Sequence, residues 1–304
     1  LVRSRGLGDV YKRQEYIGRR DLVEAGEELR YRLEESIEEE RGPLYVAIIN
    51  QSIALTLFHA LELLETQGIH TLKAFLDRVE KERSEKRSYA ILTNDPQYEG
   101  LKKMVDASSS LEHPKVHLLK QSVGEQLEGK PSSRMIVFTQ YRDTASHLVD
   151  QLNTVRGVRA ERFVGQASRL DDKGLTQEEQ ARIIRELEEG AINVLVATSI
   201  AEEGLDIPSV DQVIFYEPIP SEIRYIQRRG RTGRKRPGKA IILAANNTYD
   251  MIYLYASRRR VEKMRAIAET LNKKLKTIVR KHEKPTPNPL TGEEIRLIEA
   301  EAKP

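Results

Sequence analysis

The sequence predicts an α/β fold, a parallel sheet layered with helices, preceded by an all-helical domain. Three observations carry that expectation. From residue 134 onward, short β-prone apolar runs alternate with amphipathic segments of helical period, the pattern of βα units feeding one parallel sheet. From Asp21 to Leu127 the apolar residues instead recur three and four positions apart, as on the inner faces of bundled helices. Between the two, Ala107-Ser108-Ser109-Ser110 loosens the chain and marks a linker.

Taken in order, Leu1 to Gln14 shows no helical or strand period continuous with the residues after it and resembles a translated library leader, so 1–14 is set apart and the natural chain is expected to continue upstream. In the helical domain, placed at 15–112, Leu29, Leu33 and Ile37 sit one turn apart. A long apolar helix comes next, from Leu44 to Leu64, and stops near Gly68, and Leu72, Phe75, Leu76 and Val79 repeat at helical spacing. Asp95 before Pro96 is a cap followed by a first-turn proline, launching Tyr98, Leu101, Met104 and Val105.

The sheet domain, placed at 113–248, opens with a strand from Arg134 to Thr139 and a helix from Arg142 to Leu152, which carries Ala145, Leu148, Val149 and Leu152 on one side. A strand from Arg159 to Val164 comes next, then Thr176 and Glu179 as a capping box for a helix burying Ile183, Ile184 and Leu187. Ile192 to Ala197, Gln212 to Tyr216 and Ala240 to Ala244 complete the strands. The remainder, 249–304, reads as a helix from Tyr249 to about His282 and an extended linker, Lys284-Pro285-Thr286-Pro287-Asn288-Pro289.

Composition narrows the partners. No apolar run reads as long enough to span a bilayer, so no membrane partner and a cytoplasmic, intracellular setting are expected. Cysteine is absent and the six histidines show no ligand spacing, so no metal site is expected; histidines 59 and 70 read as core or surface residues. The net charge is only +3, so any nucleic-acid role must come from local patches. Abundant Glu, Lys and Arg without Cys or Trp suits a thermophile.

The stretch from Asn193 to Arg236 carries the chemistry. Val194-Leu195-Val196-Ala197-Thr198 is a buried strand, Ser199 to Asp206 a polar crossover, and Pro218 and Pro220 stop the strand that starts at Gln212. Ser221 can then cap a short helix ending in Gln227-Arg228-Arg229-Gly230-Arg231-Thr232-Gly233-Arg234. Gly230 and Gly233 remove side chains between Arg228, Arg231 and Arg234, letting three guanidiniums converge on one neighbourhood. Such convergence is costly without an anion, and guanidinium forks match phosphate oxygens. At the C-terminal ends of the strands stand Thr139-Gln140-Tyr141-Arg142, Gly165-Gln166 and Thr198-Ser199. Hydroxyls, amides and glycines there suit phosphate contacts that position a strand without reading its bases.

The octet resembles motif VI of superfamily 2 helicases, and Ala197-Thr198-Ser199-Ile200-Ala201-Glu202-Glu203-Gly204-Leu205-Asp206 resembles their motif V, in the same order and spacing. The wording Ala-Glu-Glu-Gly-Leu-Asp is similar to the archaeal Hef and eukaryotic FANCM branch, whose relatives include Dicer and RIG-I-like RNA helicases; the match runs from about Arg134 to Ala245. The resemblance implies ATP and Mg2+ as cofactors, with Arg231 and Arg234 as fingers on the γ-phosphate and Arg228 bridging to a partner motor domain. It also implies that Gln227, Gly204 and Asp206 contact nucleotide, the last at the ribose. Thr139, Gln140, Arg142, Gly165, Gln166, Thr198 and Ser199 would follow one nucleic-acid strand. The helical domain corresponds to the insert between the two motor domains of Hef-type enzymes; its Lys73, Arg78, Lys81, Arg83, Lys86, Arg87, Lys102 and Lys103 could grip a DNA backbone.

The sequence holds no Gly-x-x-x-x-Gly-Lys-Ser/Thr loop and no Asp-Glu box after a strand. The expectation is therefore the second half of an ATP-dependent helicase or translocase acting on forked or branched DNA in repair and fork processing, inactive by itself. Its expected partners are DNA, an upstream RecA-like domain and a downstream nuclease domain, in an archaeal cell. An RNA helicase of the Dicer or RIG-I-like type and a nucleic-acid-binding module without turnover are the alternatives.

Overall fold

The structure, a computed structural model, describes residues 17–167, 172–198, 207–219 and 238–274. It divides into two compact units, Leu1–Arg260 and Val261–Pro304; the described residues of the second are the end of one helix.

The helical part of the first unit comprises α1 (Arg19–Glu35), α2 (Arg41–Thr66), α3 (Ile69–Lys81), α4 (Arg87–Thr93) and α5 (Pro96–Ala107). Ala60, Leu72, Leu76, Val79, Leu92, Tyr98 and Val105 form its core. Asp95 caps α5 by accepting from the Gln97 N–H at 2.8 Å, as its position before Pro96 predicts. Gly68 ends the α2 run with φ at 94°, a left-handed value, and a Cβ there would lie 2.9 Å from the His113 Cβ. Glycine is required on both counts.

Helix α2 departs from expectation. By length and composition it is long and apolar enough to cross a membrane, which corrects the reading that no run is. Gln51, Thr56, Glu62 and Thr66 punctuate its sequence without lowering its average enough to matter. Those same four residues are buried, whereas Tyr45, Val46, Leu57, Leu61 and Leu64 are exposed, so the helix turns polar groups toward its neighbours. Gln51 donates to the Leu22 carbonyl of α1 at 2.7 Å, packed over Gly26 where any side chain would collide.

The sheet has order β2-β3-β1-β4-β5, where β1 is Met135–Phe138, β2 Ala160–Phe163, β3 Val194–Ala197, β4 Gln212–Phe215 and β5 Lys239–Ile242. All pairings are parallel, with Met135 opposite Val194 and Gln212. Each strand is a residue or two shorter than its sequence pattern suggests. The helices are α6 (Pro114–Gly129), α7 (Arg142–Leu152) and α8 (Gln177–Glu189), with α9 (Tyr249–Lys274) after the sheet. Met135, Val137, Val194, Val196 and Ile214 pack with α6 and α7, while Ile136, Phe138, Leu195, Ala197, Val213 and Phe215 pack with α8. Burial on both faces explains why these strands are continuous apolar runs rather than alternating ones. Thr176 and Glu179 form the expected capping box of α8, with Thr176 N–H donating to Glu179 at 2.7 Å.

The helical part sits directly on the sheet part. The Thr71 and Thr144 hydroxyls lie 2.9 Å apart, and Arg78 pairs with Asp143 at 2.9 Å. The crossover after Thr198, the arginine octet and the Pro-rich segment lie outside the described residues.

Candidate nucleic-acid edge

The loops expected to bind meet at the C-terminal edge of the sheet, and buried groups hold them there. Glu217, two residues past β4 and 3% exposed, accepts from the Thr139 hydroxyl at 3.1 Å and from the Gln140 backbone N–H at 2.5 Å. A carboxylate accepting from a backbone amide and a hydroxyl is an orienting device: it fixes where the β1 loop turns. On its other side Gln67 of the helical part approaches Glu217 at 3.5 Å, and the Thr144 hydroxyl donates to Gln67 at 3.0 Å.

The loop after β2 is held by Arg142, which donates to the carbonyls of Ala167 at 2.6 Å and Gly165 at 2.9 Å. Asp172 lies 3.5 Å from Arg142 and 2.8 Å from Arg162, balancing both guanidiniums. Gly174 backs this loop so closely that a Cβ would fall 2.2 Å from the Gly165 carbonyl oxygen. The loop's described residues, Gly165 to Ala167, are therefore positioned before any ligand arrives.

Of the seven residues expected along a strand, Gln140 and Gln166 present exposed side chains. Thr139 is fully buried and Arg142 nearly so, and their polar side-chain groups serve the loops themselves; Thr198 is also buried, its backbone N–H donating to the Phe163 carbonyl at 3.1 Å. Gly165 contributes backbone, and Ser199 lies outside the described residues, as do Gly204, Asp206, Gln227, Arg228, Arg231 and Arg234. Tyr141, between Gln140 and Arg142, is buried enough that its hydroxyl is pushed far above its ordinary range, with Glu62 and Glu217 adding to the effect, so it stays protonated.

The basic face of the helical part is largely neutralised. Lys73 pairs with Asp106, Lys86 with Glu82, Lys102 with Asp77 and Glu80, and Lys103 with Glu99. These exposed pairs add little stability, and they leave less positive charge for a nucleic acid than the sequence suggests.

Glu217, Asp172 and Gln67 escaped sequence reasoning because nothing in their neighbourhoods distinguishes them from surface polar residues; only the fold brings them to the loops. Two histidines that sequence spacing leaves apart come together in the fold. His70 and His147 stack with ring centroids 4.0 Å apart and Glu112 beside both Nε2 atoms, a convergence invisible in spacing because its members come from three separate stretches.

A five-stranded parallel sheet with the β1 loop and the start of the β2 loop held at its C-terminal edge, joined to a helical bundle, fits a RecA-like helicase C-terminal domain. The comparisons agree. Residues 114–236 match the family described as helicase conserved C-terminal domain, and residues 1–111 match a helical bundle described for an ATP-dependent RNA helicase. A Methanocaldococcus jannaschii protein, MJ1505, named as a candidate ATP-dependent RNA helicase, is 40% identical over 228 residues, covering 74% of this chain and 28% of that protein. The ATP-dependent DNA helicase mph1 of Sclerotinia sclerotiorum is 36% identical over 212 residues, covering 63% of this chain and 17% of that protein. The crystal structure of the Pyrococcus furiosus Hef helicase domain superposes with a TM-score of 0.60 at 41% identity, over 80% of this chain and 49% of that one. The chain carries a helicase conserved C-terminal domain behind a helical bundle, and its homologues are superfamily 2 helicases of the Hef, FANCM and Mph1 type. It spans less than a third of the length of the curated relatives named here.

Proposed function

We propose that this chain supplies the second RecA-like half of an ATP-dependent DNA helicase or translocase that works on forked or branched DNA. The observation that carries the reading is the preformed loop edge, where Glu217 and Arg142 hold Gln140 and Gln166 outward as amide groups suited to a phosphate backbone. The relatives named as DNA helicases support the choice of DNA.

In this reading 15–112 is the insert, 113–248 the motor domain and 249–304 an extension that can lead to a nuclease domain. ATP and Mg2+ are held mainly by a partner RecA-like domain upstream. Arg231 and Arg234 contact the γ-phosphate, Arg228 bridges to that domain, and Gln227, Gly204 and Asp206 contact the nucleotide. Thr198, Ser199, Gly165, Gln140 and Gln166 follow the strand, with Thr139 and Arg142 positioning them. An archaeal cytoplasm is the setting proposed. RNA is the second reading, favoured by the descriptions of the bundle family and of the M. jannaschii relative.

Fluorescence anisotropy with fork, linear-duplex and single-stranded DNA, and with a matched RNA duplex, tests this. Fork DNA should bind tightest, indifferent to base sequence and weakened by salt. A preference for RNA would transfer the assignment to the second reading, and no binding to any of the four at low salt would remove both.

A further inference from the structure

We propose that His70, Glu112 and His147 form a zinc site that clasps the helical part to the sheet part. The ligand atoms of these residues all lie within 4.8 Å of one another. His70 stands in the first turn of α3, Glu112 in the linker before α6, and His147 in the middle of α7, so one ion would tie three segments together.

One of the two ring nitrogens at this cluster is left without a hydrogen-bond partner. His147 Nε2 lies 3.0 Å from one oxygen of Glu112, a satisfactory hydrogen bond. His70 Nε2 lies 3.3 Å from the other oxygen, is shielded from solvent and makes no hydrogen bond there. A shielded ring nitrogen beside a carboxylate it does not bond is unusual, because burying a polar atom unpaired is costly. A cation bound beside the carboxylate, with the two stacked rings turned so that their in-plane nitrogens converge, would use both nitrogens and Glu112 together.

The donor set selects the metal class. Two imidazoles and one carboxylate with a fourth position left for water is a set that suits zinc, and one carboxylate offsets half of its charge. Outer contacts are present as well. Gln151 donates to Glu112 at 3.3 Å and itself accepts from Lys120, which fixes the carboxylate's orientation. No cysteine competes for the ion, since the sequence has none.

The consequence is mechanical. Contacts already join the helical part to α7, including Arg78 with Asp143 and Thr71 with Thr144. A bound ion would lock the linker between them, making the bundle's orientation on the sheet depend on available zinc.

Titration of the metal-stripped chain with Co2+, read by visible absorption, and with Zn2+, read by calorimetry, decides the matter. One equivalent should bind, and Zn2+ should raise the melting temperature. His70→Ala, His147→Ala and Glu112→Gln should each weaken binding by on the order of tenfold or more, while His117→Ala, outside the cluster, should bind as the parent does. His147→Gln, close in size, repeats the test if the alanine variant unfolds. Failure of the parent chain to take up one equivalent, or undiminished binding in the His70→Ala/His147→Ala double variant, would overturn the site.

Discussion

Lys115 Nζ lies 2.8 Å from the Asp250 carboxylate, and the two side chains are 2% and 1% exposed. The pair joins the start of α6 to the start of α9, and the ammonium also sits 4.6 Å from the Tyr216 ring centroid. Burial pushes the Lys115 amine below its ordinary value, with Asp250 and Glu217 pulling the other way. Breaking one side of such a pair leaves an uncompensated charge. Asp250→Asn should therefore cost about 3–5 kcal/mol, while Lys115→Met with Asp250→Leu should recover most of that. Urea denaturation of the three proteins measures both.

Glu62 gives a pH dependence with a definite sign. Burial alone would raise its carboxyl, but His59, Tyr253 and Arg19 outweigh it, and the Tyr253 hydroxyl donates at 2.5 Å. The folded value is thus lowered below 4.5. Its contribution is present above the unfolded value and is lost as pH falls through the folded one. Glu62→Gln should be less stable than the parent near neutrality, and the gap should narrow below about pH 4, as followed by denaturant midpoints from pH 7 to 3. A gap constant with pH would separate Glu62 from this effect.

At the loop edge, Arg142→Ala releases the carbonyls of Gly165 and Ala167. Binding to fork DNA should weaken by about tenfold, roughly 1.4 kcal/mol. The slope of affinity against salt should stay unchanged, since Arg142 touches no phosphate. A slope smaller by about one would instead make Arg142 a direct phosphate contact.

For the nucleotide chemistry, Arg231→Ala and Arg234→Ala in an enzyme carrying both RecA-like halves should each lower DNA-stimulated hydrolysis by about a thousandfold, leaving strand binding largely intact. The 304-residue chain alone should hydrolyse no measurable ATP. Near-normal turnover in either variant would remove the arginine from the γ-phosphate.

Elements were legible where local chemistry and tertiary burial point the same way. Thr176 and Glu179 announce a helix start, Asp95 before Pro96 another, and Val194-Leu195-Val196-Ala197 a strand whose two faces are both covered. Helix α2 was legible as a helix but not in its orientation, because Gln51 and Glu62 face inward to partners supplied by other elements. The candidate loops were legible as loops. That Thr139 and Arg142 turn inward was not, because their partners, Glu217 and the carbonyls of Gly165 and Ala167, are distant in sequence.

The hydrogen-bonded series Thr144, Gln67, Glu217, Thr139 and Gln140 runs from helix α7 through the turn after α2 to the exposed loop edge. Its two long members, Gln67 and Glu217, are each 3% exposed and held at both ends, so the series acts as a push-rod rather than a spring. A tilt of the bundle moves Gln67, Gln67 drags Glu217, and the amide of Gln140 moves with it. A load applied to the bundle would then be felt at the strand-facing loop without any change in the sheet between them.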